Sequence, residues 1–386
     1  MNARQQPQHD PNMAPLDADA TVPAAHPPGV LALPDPFPLY RGGSLRGAVI
    51  AYESWGTLSA ARDNAILLFT GLSPSAHAAA NERDPSPGWW QRMIGPGLAI
   101  DTDRYFVLCV NSLGSCFGST GPASIDPATG ERYRLGFPEL AVEDIASGGA
   151  HAARALGIER LDTVIGASLG GMSVLAYATQ FPRAARRLVS ISGSAAASPF
   201  AIALRSVQRE AILRDPDWQG GNYAPDHGPR TGMRLARKLG TITYRSASEW
   251  RKRFGRDRLA GNTWSVSPFA PQFAIEGYLE AQAERFTRVF DPNCYLYISS
   301  AMDRFDLAEH GGSYAAALAA VEVEHVLVIG VESDLLFAIQ EQAAIAESFE
   351  HHGVPTRFVR LSSLEGHDAF LVDIPPFDAE IRAFLR

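Results

Sequence analysis

The chain has 386 residues, 46% of them hydrophobic and 20% charged, with a formal net charge of −8. That composition suits a soluble globular protein with one large core plus an insertion, or two domains, and its acidic balance leaves no basic surplus for nucleic-acid phosphates. Three cysteines, Cys109, Cys116 and Cys294, lack metal-ligand spacing and are too few and too odd for a disulfide framework, which fits a reducing compartment.

The first thirty residues are rich in Pro, Ala, Gln and Asp and contain no continuous apolar segment of the signal-peptide kind. Residues 1–35 are therefore read as a disordered leader. No apolar run reaches the roughly 18 residues a membrane span needs, so no membrane contact and a cytoplasmic location are expected.

Short apolar runs then recur between Gly/Pro turns. "GAVIAYESWG" (47–56), "AILLFT" (65–70), "RYFVLCV" (104–110), "DTVIG" (162–166), "RLVSIS" (187–192), "HVLVIG" (325–330) and "TRFVRL" (356–361) read as strands. Several are apolar nearly throughout, as strands buried on both faces are. Helical patterns such as 140–157 and 340–353 alternate with them, which predicts an α/β fold with a mostly parallel sheet. The alternation breaks between about 194 and 315, where amphipathic patterns at 200–215 and 231–244 predict an inserted helical cap. The expected organisation is a core at 36–193, a cap at 194–315 and the rest of the core at 316–386.

Gly166-Ala167-Ser168-Leu169-Gly170 matches G-x-S-x-G, with an apolar run before it and a helical pattern after it. In a nucleophile elbow the serine sits on a strained strand-to-helix turn, so small neighbours are needed for close backbone passage. The helix N-terminus favours developing negative charge, and the Leu169 N–H becomes one oxyanion donor. An ordinary glycine-rich turn with an incidental serine would look the same, so an acid and a histidine further along the chain must decide between them. Asp334 comes just after "HVLVIG", and His367 lies in the loop after "TRFVRL". Ser, acid, His is the chain order of α/β-hydrolases, in which His367 would take the serine proton and Asp334 would orient the imidazole. The remaining nine histidines have no comparable context. The second oxyanion donor is expected from the loop after an early strand, at Leu72; the plain alternative there is a strand-end turn, with His77 an exposed loop residue.

Residues 88–130, together with "GASLGGM" (166–172), "GMRLARKLGTITYRS" (232–246) and "EGHDAFL" (365–371), resemble the homoserine O-acetyltransferase family of α/β-hydrolase-fold acyltransferases. The resemblance covers nearly everything after residue 35. It implies ping-pong transfer of an acyl group from an acyl-CoA to the hydroxyl of a small amino acid, with Ser168 acylated and Asp334 and His367 completing the triad. It also maps acceptor binding onto Arg237 for the α-carboxylate and Asp368 for the ammonium, against the plainer readings of a helix-surface arginine and a helix N-cap. No metal and no other cofactor are implied, and a homodimer is.

Two features set the chain apart from the acetyl-transferring relatives. Arg205 stands where they usually have a neutral residue, and it could pair with the free carboxylate of a succinyl group; acetyl offers no partner, and an unpaired buried arginine costs free energy. A solvated Arg205 is the other reading. The loop Leu72-Ser73-Pro74-Ser75 resembles the branch that succinylates serine or homoserine. The expected reaction is therefore succinyl transfer from succinyl-CoA to serine or homoserine, in cysteine or methionine biosynthesis. Acetyl transfer to homoserine, plain ester hydrolysis and a non-enzymatic binding role are the competing readings.

Overall fold

Seven predicted apolar runs and one strand that was not predicted assemble into a single sheet. The computed structural model describes residues 28–224, 226–259 and 267–386. In chain order the main sheet has β1 (Gly29–Ala32), β2 (Val49–Trp55), β3 (Ala65–Phe69), β4 (Phe106–Val110), β5 (Leu161–Ala167), β6 (Ala185–Ile191), β7 (His325–Val331) and β8 (Thr356–Leu361). Their spatial order is β1-β2-β4-β3-β5-β6-β7-β8. β1 and β2 pair antiparallel, as do β2 and β4, and every later neighbour pair is parallel.

The run of apolar residues in the central strands follows from helices covering both faces. In β3, Leu67 and Phe69 join one core with helices α1 (Val142–Ala155) and α2 (Leu169–Gln180). Ile66 and Leu68 join the other, which holds Trp89, Trp90, Phe377 and Ile381. Period-two alternation sends successive side chains to opposite faces, so a strand covered twice has no polar side to show.

Between β6 and β7 the described chain is helical: α3 (Pro199–Leu213), α4 (Arg230–Thr243), α5 (Ala247–Phe254), α6 (Ala274–Thr287), α7 (Pro292–Arg304) and the short α8 (Tyr314–Leu318). Local chemistry starts these helices where it should. Ser198 caps α3 by accepting from the Ala201 N–H, and Asp291 caps α7 by accepting from the Cys294 N–H at 3.0 Å, each with a proline in the first turn. After β7 come α9 (Ile339–Glu350), β8, the short α10 (Ala369–Val372) and α11 (Ile374–Leu385).

One boundary needs correction. Residues 1–27 of the expected leader lie outside the described residues, but Gly29–Ala32, also assigned to it, form β1. Leu31 stands opposite Ile50 and packs against the core. Four residues are too few to show a period, and their order comes from the ladder that β2 offers.

Candidate active site

Ser168 follows directly on β5 and precedes α2, with φ 59° and ψ −120°. That left-handed backbone costs on the order of 1–3 kcal/mol in a non-glycine residue. The surrounding structure holds it: the Ser168 N–H donates to the Ile191 carbonyl at 2.9 Å, and its own carbonyl accepts from Met172 at 3.1 Å. A Cβ on Gly166 would lie 2.2 Å from the Gly170 carbonyl oxygen, so the sharp turn requires glycine there. Leu169 is the first residue of α2, and its N–H has no partner within the helix.

The three predicted residues meet although they come from three separate loops. Ser168 Oγ is 2.8 Å from His367 Nε2, and His367 Nδ1 is 2.7 Å from Asp334 Oδ2. The other Asp334 oxygen accepts from the N–H groups of Leu336 and Phe337 at 2.8 and 2.9 Å. So Asp334 closes its own turn with one oxygen and faces the histidine with the other. With the carboxylate ionised, the Nδ1 proton points at Asp334 and leaves Nε2 as the acceptor for the serine proton. Burial alone would push the His367 pKa down. The Asp334 charge and hydrogen bond, helped by the Asp368 charge, outweigh it and hold His367 above the ordinary imidazole value.

The loop 70–75 leaves the end of β3 beside the elbow. Ser73 Oγ accepts from Arg237 Nη1 at 3.2 Å, and buried Ser75 offers its carbonyl to Trp89 Nε1 at 2.9 Å. Leu72 is half-buried in this loop and Pro74 follows it at the Gly71 turn. His77 corrects the picture of an exposed loop residue. It is buried, 2.9 Å from Glu53 through Nδ1 and 2.9 Å from the Ser86 carbonyl through Nε2. Glu53 sits on β2, far away in the sequence, and nothing near His77 in the chain announces it.

Arg237, on α4, is 4% exposed and is no helix-surface arginine. Its guanidinium lies 4.6 Å from the Phe286 ring centre and 5.8 Å from that of Tyr244. Asp368 stands at the N-terminal boundary of α10, yet its side chain makes no capping hydrogen bond there. It faces Arg245 instead, Oδ2 to Nε at 3.4 Å.

Arg205 is likewise not solvated, at 4% exposed on α3. Its Nε donates to Asp303 Oδ1, and Arg209 pairs with the other Asp303 oxygen at 2.6 Å. Arg205 Nη2 is buried and has no hydrogen-bond partner among the described residues. Asp303, Arg209 and Arg245 escaped the sequence reading. Arg245 lies within the segment that carries the resemblance, whereas Asp303, on α7, has no local pattern to mark it.

The chain matches the family model for the α/β-hydrolase fold over residues 64–374. A curated serine O-succinyltransferase of Litchfieldella anticariensis is 57% identical over 92% of this chain and 97% of its own length. A second serine O-succinyltransferase, of Stenotrophomonas maltophilia, is 57% identical over 93% of this chain and 98% of its own. Among solved structures, the homoserine O-acetyltransferase of Bacillus anthracis superposes with a TM-score of 0.86 at 28% identity, covering 93% of this chain and 97% of that one. The acetyl esterase MekB does so at 0.76 and 25% identity, covering 93% and 97%. Fold similarity thus extends to acyl transfer and to ester hydrolysis alike, while the high-identity relatives are acyltransferases. On these grounds the chain belongs to the α/β-hydrolase fold family and, within it, to the acyltransferases grouped with serine O-succinyltransferase.

Proposed function

We propose that this enzyme moves a succinyl group from succinyl-CoA to the hydroxyl of L-serine through an acyl-Ser168 intermediate, and that it serves cysteine biosynthesis. His367 Nε2 takes the Ser168 proton as Oγ attacks the thioester carbonyl. The N–H groups of Leu169 and Leu72 stabilise the tetrahedral oxyanion, and its collapse expels the CoA thiolate, which takes the proton from His367. In the second half-reaction His367 deprotonates the acceptor hydroxyl as it attacks the acyl carbon, and collapse of the tetrahedral intermediate expels Ser168 Oγ, which takes the proton back from His367. Asp334 stabilises the imidazolium in both halves. Arg237 holds the acceptor α-carboxylate and Asp368 its ammonium.

The observation that carries the choice of succinyl is Arg205: buried, oriented through Nε by Asp303, with Nη2 unpartnered among the described residues. Its positive charge also acts on buried His367, where it favours the neutral imidazole. A dicarboxylic acyl group supplies the acceptor oxygen that this donor lacks, and an acetyl group supplies none. The proposed chemistry uses acyl-CoA as co-substrate and no metal or redox cofactor. Exposed Val207 on α3 and Leu235 and Ile242 on α4 support a homodimer formed through the cap. No helix among the described residues is long and apolar enough to cross a membrane, and a cytoplasmic location fits the three free cysteines.

The test is a CoA-release assay that crosses succinyl-CoA and acetyl-CoA with serine, homoserine and no acceptor. Succinyl-CoA with serine is expected to give the highest rate. Release independent of acceptor would mean hydrolysis, and preference for acetyl-CoA would overturn the role given to Arg205.

A further inference from the structure

The cap and the loop that carries His367 are fastened together by three consecutive cap residues between α4 and α5. Tyr244 accepts from the Asp368 N–H at 3.1 Å through its carbonyl oxygen. Ser246 Oγ donates to the Leu364 carbonyl at 2.5 Å and also accepts from the Glu249 N–H at 3.1 Å, capping α5. Between them Arg245, 4% exposed, donates through Nη1 to Glu365 at 2.5 Å and faces Asp368 from Nε at 3.4 Å. Glu365 and Asp368 lie two residues before and one residue after His367.

The approach is close enough to constrain backbone. Gly366 has φ +68°, and a Cβ there would lie 2.8 Å from the Tyr244 carbonyl oxygen and 2.9 Å from Arg245 Cα. No larger residue fits between the clasp and the loop. Burial would favour discharging Arg245, but the Asp368 charge, with those of Glu249 and Glu365, outweighs it and keeps the guanidinium charged.

We propose that Arg245 is a positioning residue for the acceptor half-reaction: it orients Asp368 to receive the amino-acid ammonium by clasping Glu365 and Asp368 on either side of His367. This rests on the proposed function, in which Asp368 holds that ammonium. The effect falls on the acceptor because His367 has separate supports. Asp334 holds its Nδ1 at 2.7 Å, and Phe337 packs edge-on at 5.2 Å between ring centres. Removing Arg245 takes away the cation beside Asp368 and leaves those supports in place. The planar fork matters as well. An arginine reaches two carboxylates with separate N–H groups, whereas a lysine offers one point charge.

The experiment compares the full-length enzyme with Arg245→Gln and Arg245→Lys, reading the two half-reactions apart. Acylation is followed as the succinyl-CoA burst without acceptor. Deacylation is followed as kcat/KM for serine and for 3-hydroxypropionate, which is serine without its amino group. Arg245→Gln is expected to lower kcat/KM for serine about 10- to 100-fold, the scale of a misplaced positioning contact. The burst should stay within about threefold of wild type. The ratio of serine to 3-hydroxypropionate use should shrink, and Arg245→Lys should recover part of it. An equal fall of burst and serine use, with the ratio unchanged, would overturn the proposal and make Arg245 a structural residue only. If Arg245→Gln does not fold, the Lys variant decides by the same ratio. A wild type that acylates on Ser168 but ignores every amino acid would overturn the acceptor reading and this inference together. A wild type that uses serine, with variants that keep the ratio, would overturn this inference alone.

Discussion

Arg205 on α3 and Asp303 on α7 form a buried ion pair that orients the guanidinium and leaves its Nη2 with no protein partner among the described residues. Asp303 also pairs with Arg209, which itself donates to Ser299 Oγ at 2.8 Å. One carboxylate thus serves two arginines. Arg205→Asn is expected to lower kcat/KM for succinyl-CoA by about 30-fold or more, the scale for truncating a buried charge pair. Acetyl-CoA use should change far less. Parallel losses on both donors would show that Arg205 does not read the distal carboxylate.

Ser168→Ala should abolish the acylation burst and lower turnover by roughly 10⁴- to 10⁶-fold, since triad members act as a unit. Rapid-quench measurement of CoA release checks this. A variant that still shows a burst would place the acyl group elsewhere.

Acylation requires neutral His367, whose pKa is raised above the ordinary value. The rate should therefore rise with pH through a pKa above the ordinary imidazole value of about 6.5 and then level off. Asp334→Asn removes the charge that outweighs burial. Its acid limb should move to lower pH, and its plateau should fall on the order of 10⁴-fold because the tautomer is no longer held. An unmoved acid limb in Asp334→Asn would assign the titration to another group.

Arg237→Lys should raise KM for the amino-acid acceptor about tenfold or more while sparing the succinyl-CoA burst, because lysine cannot reproduce a planar, stacked contact. Initial rates against serine, with the burst as the internal control, decide it. A burst that falls with serine use would instead mean that Arg237 supports the whole site.

Asp144, at the start of α1, accepts from the N–H groups of Tyr40 and Ala141 at 2.7 and 2.8 Å, yet burial pushes its pKa up to about 6. A carboxyl whose folded pKa lies above its unfolded value of 3.8 contributes stability that is complete below 3.8 and lost as pH rises through about 6. Relative to Asp144→Asn, the wild type should lose about 1–1.5 kcal/mol of stability between about pH 5 and pH 7.5. Urea unfolding of both proteins at the two pH values measures the difference. A pH-independent gap would mean that Asp144 is charged throughout.

Much of the scaffold was legible because it depends on short-range physics. Runs such as "AILLFT" announce strands covered on both faces, since only apolar side chains survive burial on each side. Small residues around Ser168 announce a turn too tight for side chains. Chain order then singled out Asp334 and His367, because parallel strands in this fold deliver their loops to one edge of the sheet. The edge strand β1 was missed, as its four residues are ordered by a partner and not by their own pattern.

The sequence by itself determined the α/β layering, the helical stretch between β6 and β7, and the residue types able to form a triad. Those follow from periodicity, turn chemistry and spacing along the chain. Only the tertiary structure decided that Arg205 is buried and tied to Asp303 98 positions away, that Arg245 reaches Glu365 across 120, and that His77 answers to Glu53. The reason is physical. Whether a charge is solvated, paired or left with one donor unmet depends on which groups folding brings within about 3 Å in a water-poor interior. That information resides in the packing of distant elements, and no local pattern carries it.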